Sequence, residues 1–359
     1  MRIAYTVTML GERTMNKITV LVKIIKYYIW NLTSPCLRGA KGCATPIKIW
    51  RFGELNQEKI IYFITDVSSK RSGTFSIYLG ILKELSFAKM MNWVPIIDET
   101  PNLLRKMKTK GMKGKNNVKE IFRFSNSMPL REVMNSHKVV ISSMTDKHSV
   151  IKLSNMLNSI YKVTDGNLLD LKDEQLEYWR EFAHTHLCFQ EQLKKELDNA
   201  YQEVIQGKTD VLSVAVREGK MALNEKTRIT SGERVQPSVQ EIVEITKKYF
   251  SEWNCKYIYL SCEAPETIEM FKKAFPEDVI LVLERSRTPM ENLGKIKDFK
   301  SSDKHYKDIS KIKNFDTDYI KDMYILSKGD YLICPINCGT EAAYIMSNGF
   351  KNCHIIIKD

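Results

Sequence analysis

The run VLSVAV, Val211 to Val216, constrains this chain more than any other stretch. It is almost wholly apolar and carries three β-branched valines, with no polar alternation. A strand of that kind must be covered on both faces, which is the condition of a central strand in a parallel sheet. Parallel neighbours require crossover connections, usually helices. The sequence that follows supplies them. Val239 to Phe250 has a helical pattern, and KYIYL, Lys256 to Leu260, reads as a strand. Pro265 and Glu266 suit the first turn of a helix that runs through Phe271 to Phe275. VILVL, Val279 to Leu283, is another strand. Asp318 to Leu326 is helical, YLIC at Tyr331 to Cys334 is a strand, Thr340 to Ser347 is a helix, and HIIIK near the end forms a last strand. Strands alternating with helices predict an α/β domain around a parallel sheet.

The first half repeats this logic once. KIIYFI, Lys59 to Ile64, is a strand that enters a polar loop ending at Gly73. A helix over Thr74 to Met91 places Leu79, Leu82, Leu85, Phe87 and Ala88 toward a sheet, and Trp93 to Asp98 supplies the next strand. From Leu171 to about Gln206 the pattern is helical, with Trp179, Phe182, Leu187, Phe189, Leu193 and Leu197 recurring among polar residues. His184 and His186 are two apart, share no helix face, and read as packing or surface residues. A turn at Gly207 to Asp210 marks a boundary. The expected organisation is a basic amphipathic segment over 1–57, an α/β domain over 58–207, and a second α/β domain over 208–359.

Charge restricts the partners. With 55 basic and 43 acidic residues the chain carries a formal +12, which favours anions of any class. No RNA- or DNA-binding motif is present, so no specific nucleic acid is expected, although a basic nucleic-acid-binding protein is the alternative that charge alone would support. The eight cysteines form no CxxC pair and read as free thiols of a reducing compartment. The six histidines form no metal-ligand pattern, so no metal is expected. Residues 18–32, ITVLVKIIKYYIWNL, are apolar and aromatic but interrupted by Lys23 and Lys26. They suit either an anionic membrane interface, with Ile25, Tyr28 and Trp30 at the apolar boundary, or a packed amphipathic arm. Residues 101–119 carry seven lysines and arginines and no acid, and form a basic surface loop.

Ligands of open α/β sheets sit beyond the carboxyl ends of the strands. Three segments of the second half fall there. Arg217 follows the VLSVAV strand and offers a rigid donor fork for phosphate oxygens, with Glu218 and Glu225 as nearby carboxylates that could act as a base. Glu263 lies between the strand ending at Leu260 and the helix beginning at Pro265. The third segment, Cys334-Pro335-Ile336-Asn337-Cys338-Gly339-Thr340-Glu341, takes a strand into a small-residue loop and a helix N-terminus suited to a diphosphate. There Gly339 permits close approach, and Thr340 can bond an oxygen or cap the helix. Neither GxxxxGK[ST] nor GxGxxG occurs, which weighs against ATPase and dehydrogenase readings.

The order and spacing of these segments over roughly residues 59 to 350 resemble the fucosyltransferase superfamily of GT-B fold. VLSVAVREG resembles that family's VHVRRGD motif. KYIYLSCEAPETIEMFKKAFPEDVI and DMYILSKGDYLICPINCGTEAAYIM resemble the family's later strand–helix segments. The family histidine before the arginine motif is Ala215 here. The resemblance implies two Rossmann-like domains facing across a cleft, transfer with inversion, GDP-fucose as donor, and no required metal or other cofactor. It assigns Arg217 to the donor's β-phosphate, Asp322 to the nucleotide pocket and Thr340 to phosphate. Glu263 falls at a family aspartate position, and Glu225 at that of a glutamate acting as base. The implied acceptor is a glycan or a lipid-linked oligosaccharide in surface polysaccharide synthesis, with another nucleotide sugar as the alternative donor. The expected location is cytoplasmic, peripheral on the inner face of the plasma membrane.

Overall fold

A computed structural model describes residues 49–65, 74–97, 121–142, 173–218, 235–294 and 315–358. The segments 18–32 and 101–119, and the candidate base Glu225, lie outside the described residues. The described residues divide into two units: 49–65, 83–97 and 124–142 in the first, and the remainder in the second.

In the first unit the elements are β1 (Ile49–Trp50), β2 (Ile61–Ile64), helix α1 (Thr74–Met90), β3 (Val94–Ile97), β4 (Phe122–Phe124), the single turn α2 (Leu130–Val133) and β5 (Val139–Ile141). Residues 74–82 of α1 and 122–123 of β4 count with the second unit. The sheet order is β1-β5-β2-β3. Strands β5, β2 and β3 are parallel, with Ile61 opposite both Val139 and Val94, while β1 runs antiparallel to β5. The β2–α1–β3 connection is the βαβ unit expected from KIIYFI and WVPIID. Ile61, Phe63, Ile96, Val133, Val139 and Ile141 form its core. The buried phenol of Tyr62 donates to Glu84 Oε2 at 2.6 Å, so its polar tip is satisfied.

The second unit continues with α3 (Asp173–His186), β6 (Leu187–Phe189), α4 (Glu191–Val204), β7 (Val211–Ala215), α5 (Val239–Glu252), β8 (Tyr257–Ser261), α6 (Pro265–Ala274), β9 (Ile280–Leu281), α7 (Met290–Gly294), α8 (Phe315–Leu326), β10 (Tyr331–Pro335), α9 (Cys338–Met346) and β11 (Asn352–Ile356). Its sheet has the order β11-β10-β7-β8-β9 and is parallel throughout. Strand β7 is buried at every position. Its period of two still operates. Leu212 and Val214 join Ile258, Leu260 and Ile333 in a core with Ile242 and Val243 of α5 and Phe271 of α6. The alternate residue Tyr259 instead bonds Asp322 of α8, so α8 covers the opposite face.

Two elements depart from expectation. The helical stretch over Leu171 to Gln206 is broken at β6, because β6 pairs with β4: Phe189 stacks on Phe122 at 5.7 Å and the Gln190 N–H donates to the Ile121 carbonyl at 2.9 Å. The apolar run VILVL contributes only the two-residue β9, at the edge of the sheet among the described residues and paired with β8. Helix starts are set by local chemistry. At α5 the Ser238 hydroxyl accepts from the Glu241 N–H while Glu241 returns to the Ser238 N–H, a capping box, and Pro265 occupies the first turn of α6.

The strand order fixes where a ligand can sit. From β7 the chain moves outward to β8 and β9, then returns to place β10 on the other side of β7. The carboxyl ends of β7 and β10 therefore flank the point where the order reverses, where connections diverge and leave a crevice.

Candidate functional site

A small pocket, open to solvent, lies at that reversal. Arg217 enters from the end of β7, Glu263 from the end of β8, Arg285 from the segment after β9, Tyr319 from α8, and Asn337 and Thr340 from the start of α9. Of the residues singled out in the sequence, Arg217, Glu263 and Thr340 line it, and Gly339 lies beside it at the helix start.

The Arg217 guanidinium reaches Glu263 through Nη1 at 3.3 Å, with both side chains about three-quarters buried. The next residue, Glu218, turns the other way. Its carboxylate accepts the backbone N–H groups of Glu263 and of Ala264, the latter at 2.8 Å, and the hydroxyl of Thr267. Burial pushes the Glu218 carboxyl up to about 7, and the three hydrogen bonds oppose that shift. Glu218 thus ties the loop after β7 to the loop after β8 and fixes the distance between Arg217 and Glu263.

Asp322 does not line the pocket. It is fully buried, and both oxygens are engaged: Tyr259 donates to Oδ1 at 2.7 Å, while Arg285 bonds Oδ2 through Nε at 2.8 Å and Nη2 at 2.6 Å. Arg285 also donates to the Cys262 carbonyl at 2.9 Å. Asp322 therefore positions Arg285, and Arg285 meets the pocket in its place. Sequence reading missed Arg285, although the rule that picked out Arg217, an arginine just past a strand, applies to it as well.

The start of α9 is closed by its own cap. Asn337 Oδ1 accepts from the N–H groups of Gly339 at 2.9 Å and Thr340 at 3.1 Å. The Thr340 hydroxyl donates to the Pro335 carbonyl at 2.7 Å and accepts from the Asn337 N–H at 3.1 Å. Of the two roles open to Thr340, this arrangement is the cap. The positive end of the helix acts on the pocket through its field. The site is thus a pocket with two guanidinium groups on its wall, Arg217 paired with Glu263 and Arg285 with the buried Asp322, and a helix N-terminus beside it.

No protein-family model matches the chain, and no curated protein matches it. Among solved structures it is similar to NodZ alpha-1,6-fucosyltransferase soaked with GDP-fucose, at 12% identity over 80% of this chain and 93% of that one, with a TM-score of 0.41. It is also similar to POFUT1 in complex with GDP-fucose, at 10% identity over 83% of this chain and 98% of that one, TM-score 0.42. A third is a mutant of Arabidopsis thaliana FUT1 in complex with GDP, at 10% identity over 82% of this chain and 69% of that one, TM-score 0.44.

Proposed function

We propose that the chain is a glycosyltransferase that moves fucose from GDP-fucose to a hydroxyl of a glycan acceptor with inversion. The observation that supports this most is the position of Arg217 at the reversal point of a parallel sheet, in one pocket with Arg285 and the start of α9. A diphosphate leaving group gains negative charge as the glycosidic bond breaks. Preorganised guanidinium groups in a partly buried site stabilise that charge. Arg217 is the group that would neutralise it, and the α9 dipole adds to the same field. The choice of fucose and of guanosine rests on the resemblance of the arginine motif and the segments that follow it.

In this reading residues 208–359 hold the donor and residues 58–207 receive the acceptor across a cleft of GT-B type. Glu225 takes the acceptor proton, and no metal takes part. Residues 18–32 bring the enzyme to the inner face of the plasma membrane, where a lipid-linked oligosaccharide would be met. No described helix is long and apolar enough to cross a membrane.

A donor screen tests the proposal. The full chain is incubated with GDP-fucose, GDP-mannose, UDP-glucose and dTDP-rhamnose, with and without glycan extract, and free nucleotide is measured. Acceptor-dependent release of GDP from GDP-fucose is expected. Release from another donor alone would change the sugar and keep the class, and release from none would refute the transferase reading.

A further inference from the structure

Tyr319 brings a phenol hydroxyl to the pocket lining. It lies in α8 one turn before Asp322 and Met323. Its ring meets the buried Phe75 edge-on, with centroids 5.4 Å apart and planes at 74°. A Cβ placed on Gly339 would come within 2.2 Å of the Tyr319 hydroxyl oxygen and 3.0 Å of Met323 Sδ. Glycine at 339 is therefore what allows the phenol to lie against the start of α9.

Buried phenols normally bond their hydroxyls. Tyr62, Tyr259 and Tyr324 each do so, to Glu84 at 2.6 Å, Asp322 at 2.7 Å and Asp198 at 2.6 Å. Among the described residues the hydroxyl of the half-buried Tyr319, like that of the buried Tyr78, has no such partner, and Tyr319 is the one of these two that lines the pocket beside Arg217. Burial pushes its phenol up to about 12, with Arg217 opposing and Glu263 and Cys338 adding to the rise. At neutral pH it is an uncharged donor.

We infer that Tyr319 contacts the substrate, its hydroxyl donating a hydrogen bond to a diphosphate oxygen that Arg217 also holds. This rests on the reading of the pocket as a nucleoside-diphosphate site. An anionic oxygen is the acceptor that suits an uncharged donor placed beside a guanidinium. Loss of one hydrogen bond to a charged acceptor corresponds to about 10- to 100-fold in affinity.

Tyr319→Phe keeps the ring against Phe75 and Gly339 and removes only the hydroxyl. Binding of GDP, UDP and ADP is measured by calorimetry for the full chain, for Y319F and for R217A, with thermal unfolding of each. The expected result is a Kd for the preferred diphosphate about 10- to 100-fold weaker in Y319F at unchanged Tm. Equal Kd values for Y319F and the unaltered chain, or a weakening that accompanies a fall in Tm, would overturn the role of Tyr319. If R217A had lost binding at the same time, the pocket reading would stand without it. An unaltered chain that binds none of the three diphosphates would remove both.

Discussion

The two edges of the second unit's sheet carry the same kinds of charged residue and use them differently. At the amino edge Asp210 meets Lys256 at 2.6 Å and Lys351 at 3.2 Å, and Lys351 also meets Asp330 at 3.2 Å. These lysines are more than half exposed, each charge has an opposite charge beside it, and solvent and salt screen the pairs. At the carboxyl edge Arg285 and Asp322 are 4% and 0% exposed, Glu218 is buried against backbone N–H groups, and Arg217 opens on a pocket. Burial is what separates the two. On the amino edge charge keeps strand ends in water, and on the carboxyl edge it is organised around a pocket at a cost in desolvation.

The largest effect expected from breaking this contrast is on stability. Arg285→Ala leaves Asp322 buried without the guanidinium that bonds it, so unfolding in denaturant should show a loss of about 3–5 kcal/mol. The loss should grow as pH rises, because at low pH Asp322 can take up a proton instead. A loss no larger than that of an exposed substitution would mean the pair is not buried in solution.

Glu218 gives a smaller, pH-specific effect. Its folded pKa is raised to about 7, above that of an unfolded glutamate, so the folded state binds the proton more tightly. That contribution is fully present below the unfolded pKa and is lost as pH rises toward 7. Stability should fall by about 3 kcal/mol across that interval on this account. Glu218→Gln should flatten the fall, as read from Tm against pH. An unchanged profile would place Glu218 in water and undo its part in spacing Arg217 from Glu263.

Much of this edge was legible in the sequence. VLSVAV and YLIC announce strands buried on both faces, and Arg217 follows the first of them directly. The residues between Asn337 and Thr340 read as a helix start, which they are. What was hidden depends on distance in the chain. Nothing local shows that Arg285 belongs to Asp322, 37 positions on, or that Asp322 is thereby turned from a ligand group into a support. Tyr319 looks like one more aromatic residue on an amphipathic helix, and only its neighbours Gly339 and Phe75 reveal where its hydroxyl lies. The break at β6 was missed although the two-residue spacing of Leu187 and Phe189 is that of a strand, because their pairing partner, Phe122 to Phe124, lies far away in the chain.

The smallest stability effect belongs to the amino edge. Lys351→Ala should leave Tm almost unchanged, with any difference vanishing in molar salt. The same variant serves as the control for the proposal that the carboxyl edge binds a diphosphate. Calorimetric titration of GDP into the full chain, R217A and K351A decides it. R217A is expected to weaken binding at least about 100-fold, while K351A binds as the unaltered chain does. Binding that survives in R217A and is lost in K351A would contradict it.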